Sequence, residues 1–196
     1  NNFGICLDCS DDNNITNNTI LNNKATGFVL SSSNCNNVIN NGVLNNGASG
    51  ILLEYSTNNT LRNNDASGNW LNFGVDGDSL CDFINNVDSS NTVNGKPIYY
   101  WINQHDKEVP AGAGYVAVIN STRVKVSGSN LTNNSEGLLL AYTTKSVIEN
   151  VNTSDNFYGI RLFRSNNNNV NDNTIKNNWL GIHVFNSSDN KLSANR

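Results

Sequence analysis

The sequence is poor in the residues that build helices. It has no methionine, and alanine, glutamate, lysine and glutamine, the good helix formers, are all scarce. No apolar run approaches the roughly 18 residues needed to span a bilayer as a helix, so no membrane-inserted segment is expected. Positive charge is also short. Lys and Arg total 12 against 16 Asp and Glu, giving a net charge of −4, and they are scattered without a basic stripe. The electrostatic footprint of a nucleic-acid binder is therefore missing. The opening Asn1-Asn2-Phe3-Gly4 lacks a signal-peptide pattern and falls in mid-repeat, as expected for a processed or excised fragment.

Cysteine is sparse and one-sided: Cys6, Cys9, Cys35 and Cys81 all lie in the first half, with no zinc-type spacing. Cys6-x-x-Cys9 has the form of a redox pair. It falls in a predicted strand, however, away from the helix N-terminus that would lower a thiol pKa. Buried or free thiols, or one disulfide between neighbouring coils, are expected instead.

Asparagine is what the chain has in abundance, 44 of 196 residues. Such a polar composition ordinarily marks disorder. Here the apolar residues recur too regularly for that. Gly4, Gly27, Gly50 and Gly74 are spaced by 23, 23 and 24 residues; Gly114, Gly137, Gly159 and Gly181 by 23, 22 and 22. One residue past the glycine stand Ile5, Phe28, Ile51, Leu138, Ile160 and Ile182, and three past it Leu7, Leu30, Leu53, Leu140, Leu162 and Val184. Two further apolar columns follow, one through Ile15, Val38, Leu61, Ile148, Val170 and Leu192, the other through Ile20, Val43, Ala66, Thr153 and Ile175. Each marks a short strand alternating in and out with period two.

Two polar columns keep the same rhythm: Ser10, Ser33, Ser56, Thr143, Ser165 and Ser187, and Asn18, Asn41, Asn64, Asn173 and Asn195, interrupted at Val151. Coils stacked about 4.8 Å apart place like residues over one another, close enough for each carboxamide to donate to its neighbour. A repeat of this length signals a solenoid. The fold expected is an all-β, right-handed parallel β-helix of about eight coils of 22–24 residues, one domain over residues 1–196 with an irregular insertion at about 94–113. Asn41-Gly42, Asn46-Gly47 and Asn94-Gly95 do not recur with the period and read as local turns. A leucine-rich-repeat horseshoe would need helical segments that the Asn-rich stretches do not supply.

The insertion holds both prolines and the aromatic run Tyr99-Tyr100-Trp101, with His105 close behind. Insertions in solenoids often form the binding face, and Tyr99 and Trp101 could stack on sugar rings. The competing reading turns alternate members of Ile98-Tyr99-Tyr100-Trp101 inward as an enlarged coil. Asn91-Thr92-Val93-Asn94-Gly95-Lys96-Pro97-Ile98-Tyr99-Tyr100-Trp101, the segment Gly114–Ser121 and the Gly-Ile-x-Leu-x-x-Ser repeats together resemble archaeal cell-surface proteins with NosD-type parallel β-helix repeats. The resemblance spans nearly the whole chain. It implies an extracellular or cell-envelope protein, with sugar binding or sugar hydrolysis inferred for the wider family.

Other chemistry is thinly represented. NosD relatives assist copper delivery, but this chain has no Met and only two isolated histidines, His105 and His183. The outward column one step past the first inward residue reads Cys6, Val29, Leu52, Leu139, Arg161 and His183. Arg161 beside His183 could hold an anionic sugar, although a solvated pair is the simpler expectation. The apolar members Val29, Leu52 and Leu139 suggest a sticky face that docks a neighbouring domain. Asp76 and Asp78 could ligate Ca²⁺, with a turn as the alternative. Asp76, Asp78 and Glu54, with Asp82 close by, are also the nearest set for a paired-carboxylate hydrolase or lyase. Eight Asn-x-Ser/Thr sequons occur, of which Asn120, Asn130 and Asn133 near the insertion are the expected glycosylation acceptors. The function expected is a non-enzymatic structural or adhesion module, in contact with polysaccharide or with neighbouring domains of the same surface protein; the alternative is a polysaccharide lyase or glycoside hydrolase.

Overall fold

A computed structural model describes residues 1–196. The chain is all β apart from one 3-10 turn at Leu80–Phe83. No helix is long and apolar enough to cross a membrane. The strands gather into two compact units, Asn1–Ile98 and Tyr99–Arg196.

In the first unit each coil contributes three strands to three parallel sheets. Ile5–Asp8, Phe28–Ser31, Ser49–Glu54 and Leu71–Asp76 form the first sheet. The second holds Asn14–Thr16, Asn37–Ile39, Thr60–Arg62 and Asn86–Val87; the third holds Thr19–Leu21, Gly42–Leu44, Asp65–Ser67 and Thr92–Val93. The register stacks Leu7, Leu30, Leu53 and Val75, as it stacks Ile15, Val38, Leu61 and Val87. Alternation sends these side chains inward, and Leu30, Leu53 and Leu61 are fully buried. Each such burial is worth roughly 1.5–3 kcal/mol, which a narrow core needs from every coil.

Corners separate the strands, and each repeats one device. A residue in the left-handed region precedes an inward polar residue: Cys9 before Ser10, Asp12 before Asn13, Asn17 before Asn18, Asn22 before Asn23. Asn and Asp tolerate that backbone better than other residues with a Cβ. The expected asparagine ladder is present. Nδ2 of Asn18 donates to Oδ1 of Asn41 at 3.0 Å, Asn41 to Asn64 at 3.0 Å, and Asn64 to Asn91 at 2.8 Å. Two further ladders run through Asn13, Asn36, Asn59 and Asn85 and through Asn23, Asn46 and Asn69. The serine column is a ladder as well, with the Ser10 and Ser33 amides donating to the Ser33 and Ser56 hydroxyls, both at 2.9 Å.

The glycine spacing misleads at Gly74. Phe73 stands beside Ile51 and Gly74 beside Leu52, so Asn72, 22 residues after Gly50, holds the corner. Asn94-Gly95 forms the turn of a β-hairpin, φ 49° and 73°, that pairs Val93 with Lys96 and Thr92 with Pro97 antiparallel. The local-turn reading of this dipeptide therefore understates it, because it reverses the chain.

The second unit repeats the design. Its first-strand sheet contains Tyr115–Ile119, Glu136–Ala141, Tyr158–Phe163 and Leu180–Phe185; its second contains His105–Val109, Thr122–Ser127, Val147–Glu149, Asn169–Asn171 and Lys191–Ser193. The third is shorter, Asn130–Thr132, Asn152–Ser154 and Thr174–Lys176. Val116, Val118, Leu138, Leu140, Ile160 and Leu162 form the heart of its core. Gly114 is displaced by one, since Val116 pairs with Leu138 and so places Tyr115 in the Gly137 column. At Val151 the side chain leaves the ladder, yet its amide still donates to Asn173 Oδ1 at 3.0 Å.

Residues 94–113 are mostly strand, not an emergent loop. Lys107 pairs with Val124 and Val109 with Val126, a step of 17 residues, which makes this a shortened coil and not an enlarged one. Gln104 takes the serine place in it, its amide donating to the Ser121 hydroxyl at 2.9 Å. Tyr99 and Trp101 are half-buried against the core cluster, and Ile98 and Tyr100 are buried.

Candidate functional site

The outer face of the second unit's first-strand sheet carries a continuous strip of rings. Trp179 stacks on Phe157 with centroids 6.2 Å apart, and Phe157 meets Tyr158 edge-on at 4.7 Å. Tyr158 stacks on His183 at 4.9 Å, and His183 tilts against Phe185 at 6.1 Å. Phe185 stacks on Phe163 at 5.4 Å, and Phe163 touches Tyr142 at 5.9 Å. Spacing explains the strip. Phe157 and Trp179, and likewise Phe163 and Phe185, lie 22 residues apart and so fall on one another in successive coils.

Two arginines thread the rings. The Arg161 guanidinium lies 5.0 Å from the Tyr158 centroid and 5.4 Å from that of Phe163. It also donates from Nη1 to Glu136 Oε1 at 3.2 Å. Both side chains are buried, at 8% and 2% exposure, and Tyr115 Oη donates to the other Glu136 oxygen at 3.2 Å. The solvated reading of Arg161 is thereby corrected: the pair is dry and its cation is matched by a carboxylate. Burial, the adjacent Glu136 carboxylate and Tyr100 push the Tyr115 hydroxyl well above its ordinary value, so it remains a donor. Burial first, then the Arg161 charge, lowers His183 from its ordinary value, so the ring stacked on Tyr158 is neutral near pH 7. The second arginine, Arg164, is exposed and lies 5.8 Å from the Tyr142 centroid and 5.6 Å from that of Phe163.

A groove lies on the outer side of the second unit's third sheet. It encloses about 290 Å³ beside the third sheet and is lined by Asn130, Thr132, Asn152, Ser154, Thr174 and Lys176. Phe157 and Trp179 follow Ser154 and Lys176 by three residues along the chain.

The structure disperses most of the sequence-derived candidates. Arg161 and His183 belong to the strip, whereas Tyr99 and Trp101 face the core and His105 is exposed on a strand apart from both. The outward column is not a sticky face: Leu139 is fully buried, Val29 is buried and only Leu52 is half-buried. Arg161, the register neighbour of Leu139, leans over that strand to reach Glu136 and covers it. Six members of the strip, Tyr142, Phe157, Tyr158, Phe163, Trp179 and Phe185, were not singled out from the sequence. The 22-residue spacing of Phe157 with Trp179 and of Phe163 with Phe185 was the available signal.

In the first unit Glu54 and Asp76 are register neighbours on the outer face. Glu54 is half-buried, and burial, with the Asp76 charge second, raises its carboxyl above the ordinary value. Asp82 Oδ2 accepts from the Asp78 amide at 3.0 Å and from the Ser79 amide and hydroxyl at 2.8 and 3.0 Å. These bonds make Asp78–Asp82 a capped turn. No group of three or more His, Cys, Asp or Glu side chains converges in the structure. The sequons differ in setting. Asn120 is exposed and donates to Asn103 Oδ1 at 2.7 Å, Asn130 is exposed and accepts from Asn152 at 2.7 Å, and Asn133 is half-buried with φ 57°.

Three parallel sheets wound in one hand from coils of near-constant length, with polar ladders inside the corners, define a right-handed β-helix protein. The chain matches the family described as periplasmic copper-binding protein (NosD) over residues 1–117, and the right-handed β-helix region over residues 90–196. It belongs to the NosD family of β-helix proteins. No curated protein matches it.

The family description implies copper, and the donors present do not fit it. Copper takes thiolate, thioether or imidazole ligands in a convergent set. This chain has no Met, His105 is solitary, and His183 is held between Tyr158 and Phe185. Cys6, Cys9, Cys35 and Cys81 are free and exposed, a correction to the buried and disulfide-bonded readings, and no three-donor cluster forms among them.

Proposed function

We propose that the protein is a non-enzymatic binding module of the cell envelope or extracellular space that holds polysaccharide against the aromatic strip of its second unit. The periplasmic family agrees with that location. The observation that carries the reading is the strip of seven touching rings, which includes the exposed Trp179, Phe157 and Phe185. A pyranose ring presents flat C–H faces and a rim of hydroxyls, so it is matched by aromatic surface with polar groups at its border. Trp179, 78% exposed, and Trp70, 64% exposed in the first unit, are large aromatic surfaces open to such a ligand. Rigid backing comes from the coil stack, which keeps the ordering cost of binding low.

A glycan array followed by titration calorimetry tests this. Trp179→Ala and Phe157→Ala should each weaken binding about tenfold or more, as loss of an aromatic anchor does, with the unfolding midpoint nearly unchanged. Unaltered affinity in both variants would reject the strip.

A second reading, a polysaccharide hydrolase or lyase, draws support from one observation: Glu54, with its raised carboxyl, lies beside Asp76. Two neighbouring carboxyls, one of them holding its proton more tightly than usual, are the groups glycoside hydrolysis uses. Reducing-end release that disappears in Glu54→Gln and Asp76→Asn, and in Asp78→Asn if that turn contributes, would favour it over the first.

A further inference from the structure

We infer that the strip selects an acidic glycan, one bearing carboxylate or sulfate, and that Arg164 receives the anionic group. This rests on the polysaccharide reading and adds the ligand's charge.

Three arginines are already committed to carboxylates: Arg62 to Asp88, Arg123 to Asp106, and Arg161 to Glu136. Arg164 differs. It is exposed, its guanidinium is positioned by the Tyr142 and Phe163 rings, and no carboxylate reaches it. Its backbone is left-handed, φ 48°, at a corner that Cys9, Ser32, Tyr55, Asn103, Asn120, Tyr142 and Asn186 occupy in other coils. Arg164 is the one cation in that column. The left-handed residues above and below it, Asn120, Tyr142 and Asn186, supply carboxamides and a ring but no acid. The next corner carries Arg123, Lys145, Asn167 and Asp189 in the same order of coils; Arg123 is tied to Asp106, and Lys145 has no acidic partner.

A guanidinium fixed over aromatic faces keeps its outward N–H groups in one plane, the geometry that meets a carboxylate or sulfate with paired hydrogen bonds. Phe185, 42% exposed and stacked on Phe163, offers a sugar ring apolar support beside it. Arg164 and the strip thus match the two halves of an acidic pyranose, the charged substituent and the C–H face.

The test uses matched polymers: polygalacturonate against its carboxyl-reduced counterpart, and dextran sulfate against dextran. The protein should bind at least one acidic polymer about tenfold more tightly than its neutral partner, since a charge-assisted pair is worth more than one decade in affinity. Which acidic polymer wins identifies carboxylate or sulfate as the group recognised. Arg164→Gln should remove that preference while leaving neutral binding in place, and Arg164→Lys should restore part of it. Equal binding of acidic and neutral polymers, or a preference that survives Arg164→Gln, would overturn the inference and leave the polysaccharide reading standing. Binding to none of the four, with capture by a protein ligand instead, would remove both.

Discussion

Glu136 and Arg161, 25 residues apart in sequence, meet across adjacent coils at 3.2 Å on the outer side of the sheet, and both are buried. A dry ion pair on the outside of a β-helix depends on side chains alone to exclude water, here Tyr115, Tyr158 and Phe163. Removing one partner strands the other charge, so Arg161→Met should cost about 3–5 kcal/mol. The double variant Glu136→Gln/Arg161→Met should recover most of that loss. Urea midpoints for the two singles and the double measure the coupling; purely additive losses would show that the pair is not a unit.

The ladders predict a graded response. Asn41 donates to Asn64 and to the Ile15 carbonyl and accepts from Asn18, all within the buried interior. Asn41→Ala leaves several of these groups unmatched and should destabilise by about 2–4 kcal/mol. Val151→Asn extends an existing ladder towards Asn173 and should stay within about 1 kcal/mol of the parent. Thermal unfolding of both variants decides it, and equal losses would deny the ladder its role.

Glycine substitutions separate crowding from backbone strain. A Cβ at Gly27 would sit 2.5 Å from Val43 Cγ1 and from Asn46 Nδ2, whereas at Gly95 nothing lies within 4 Å but φ is 73°. Gly27→Ala should cost about 2–4 kcal/mol through forced repacking, and Gly95→Ala about 1–2 kcal/mol. A larger loss at Gly95 would contradict the packing.

Glu54 sets a pH signature. Its folded value lies above its ordinary one, because burial and Asp76 disfavour the charge. The proton is held more tightly when folded, so this group's contribution is present at low pH and fades as pH rises through the raised value. Glu54→Gln should therefore gain stability relative to the parent above that range, by a few tenths of a kcal/mol given solvent screening, and lose the advantage in acid. Denaturation at a series of pH values reads the difference.

All four thiols should react with a disulfide reagent in the native protein, since each is free and exposed. A thiol that reacts only on unfolding would contradict the exposure of that cysteine.

Much of the fold was legible because stacking forces like residues to recur. Leu7, Leu30 and Leu53 are 23 apart and lie side by side. Glycine was the poorer guide: it marks a corner only where a Cβ would collide, as at Gly50, and Gly74 and Gly114 lie outside that column. The aromatic strip was half visible. Phe163 and Phe185 share a column, but Tyr158, His183 and Phe185 meet diagonally across columns, and a one-dimensional spacing does not encode that. Glu136 and Arg161 escaped for the same reason, since neither shares the other's column.

The side-chain amides of each ladder all point one way: an earlier coil's N–H donates to a later coil's oxygen, from Asn18 through to Asn91. Their carboxamide dipoles align along that series, while the second Nδ2 proton of Asn41 and of Asn64 reaches back to a carbonyl of the coil before. A rung laid in the opposite sense would confront oxygen with oxygen or proton with proton. The series ends at Asn91, one residue before Thr92 and Val93 pair antiparallel with Pro97 and Lys96.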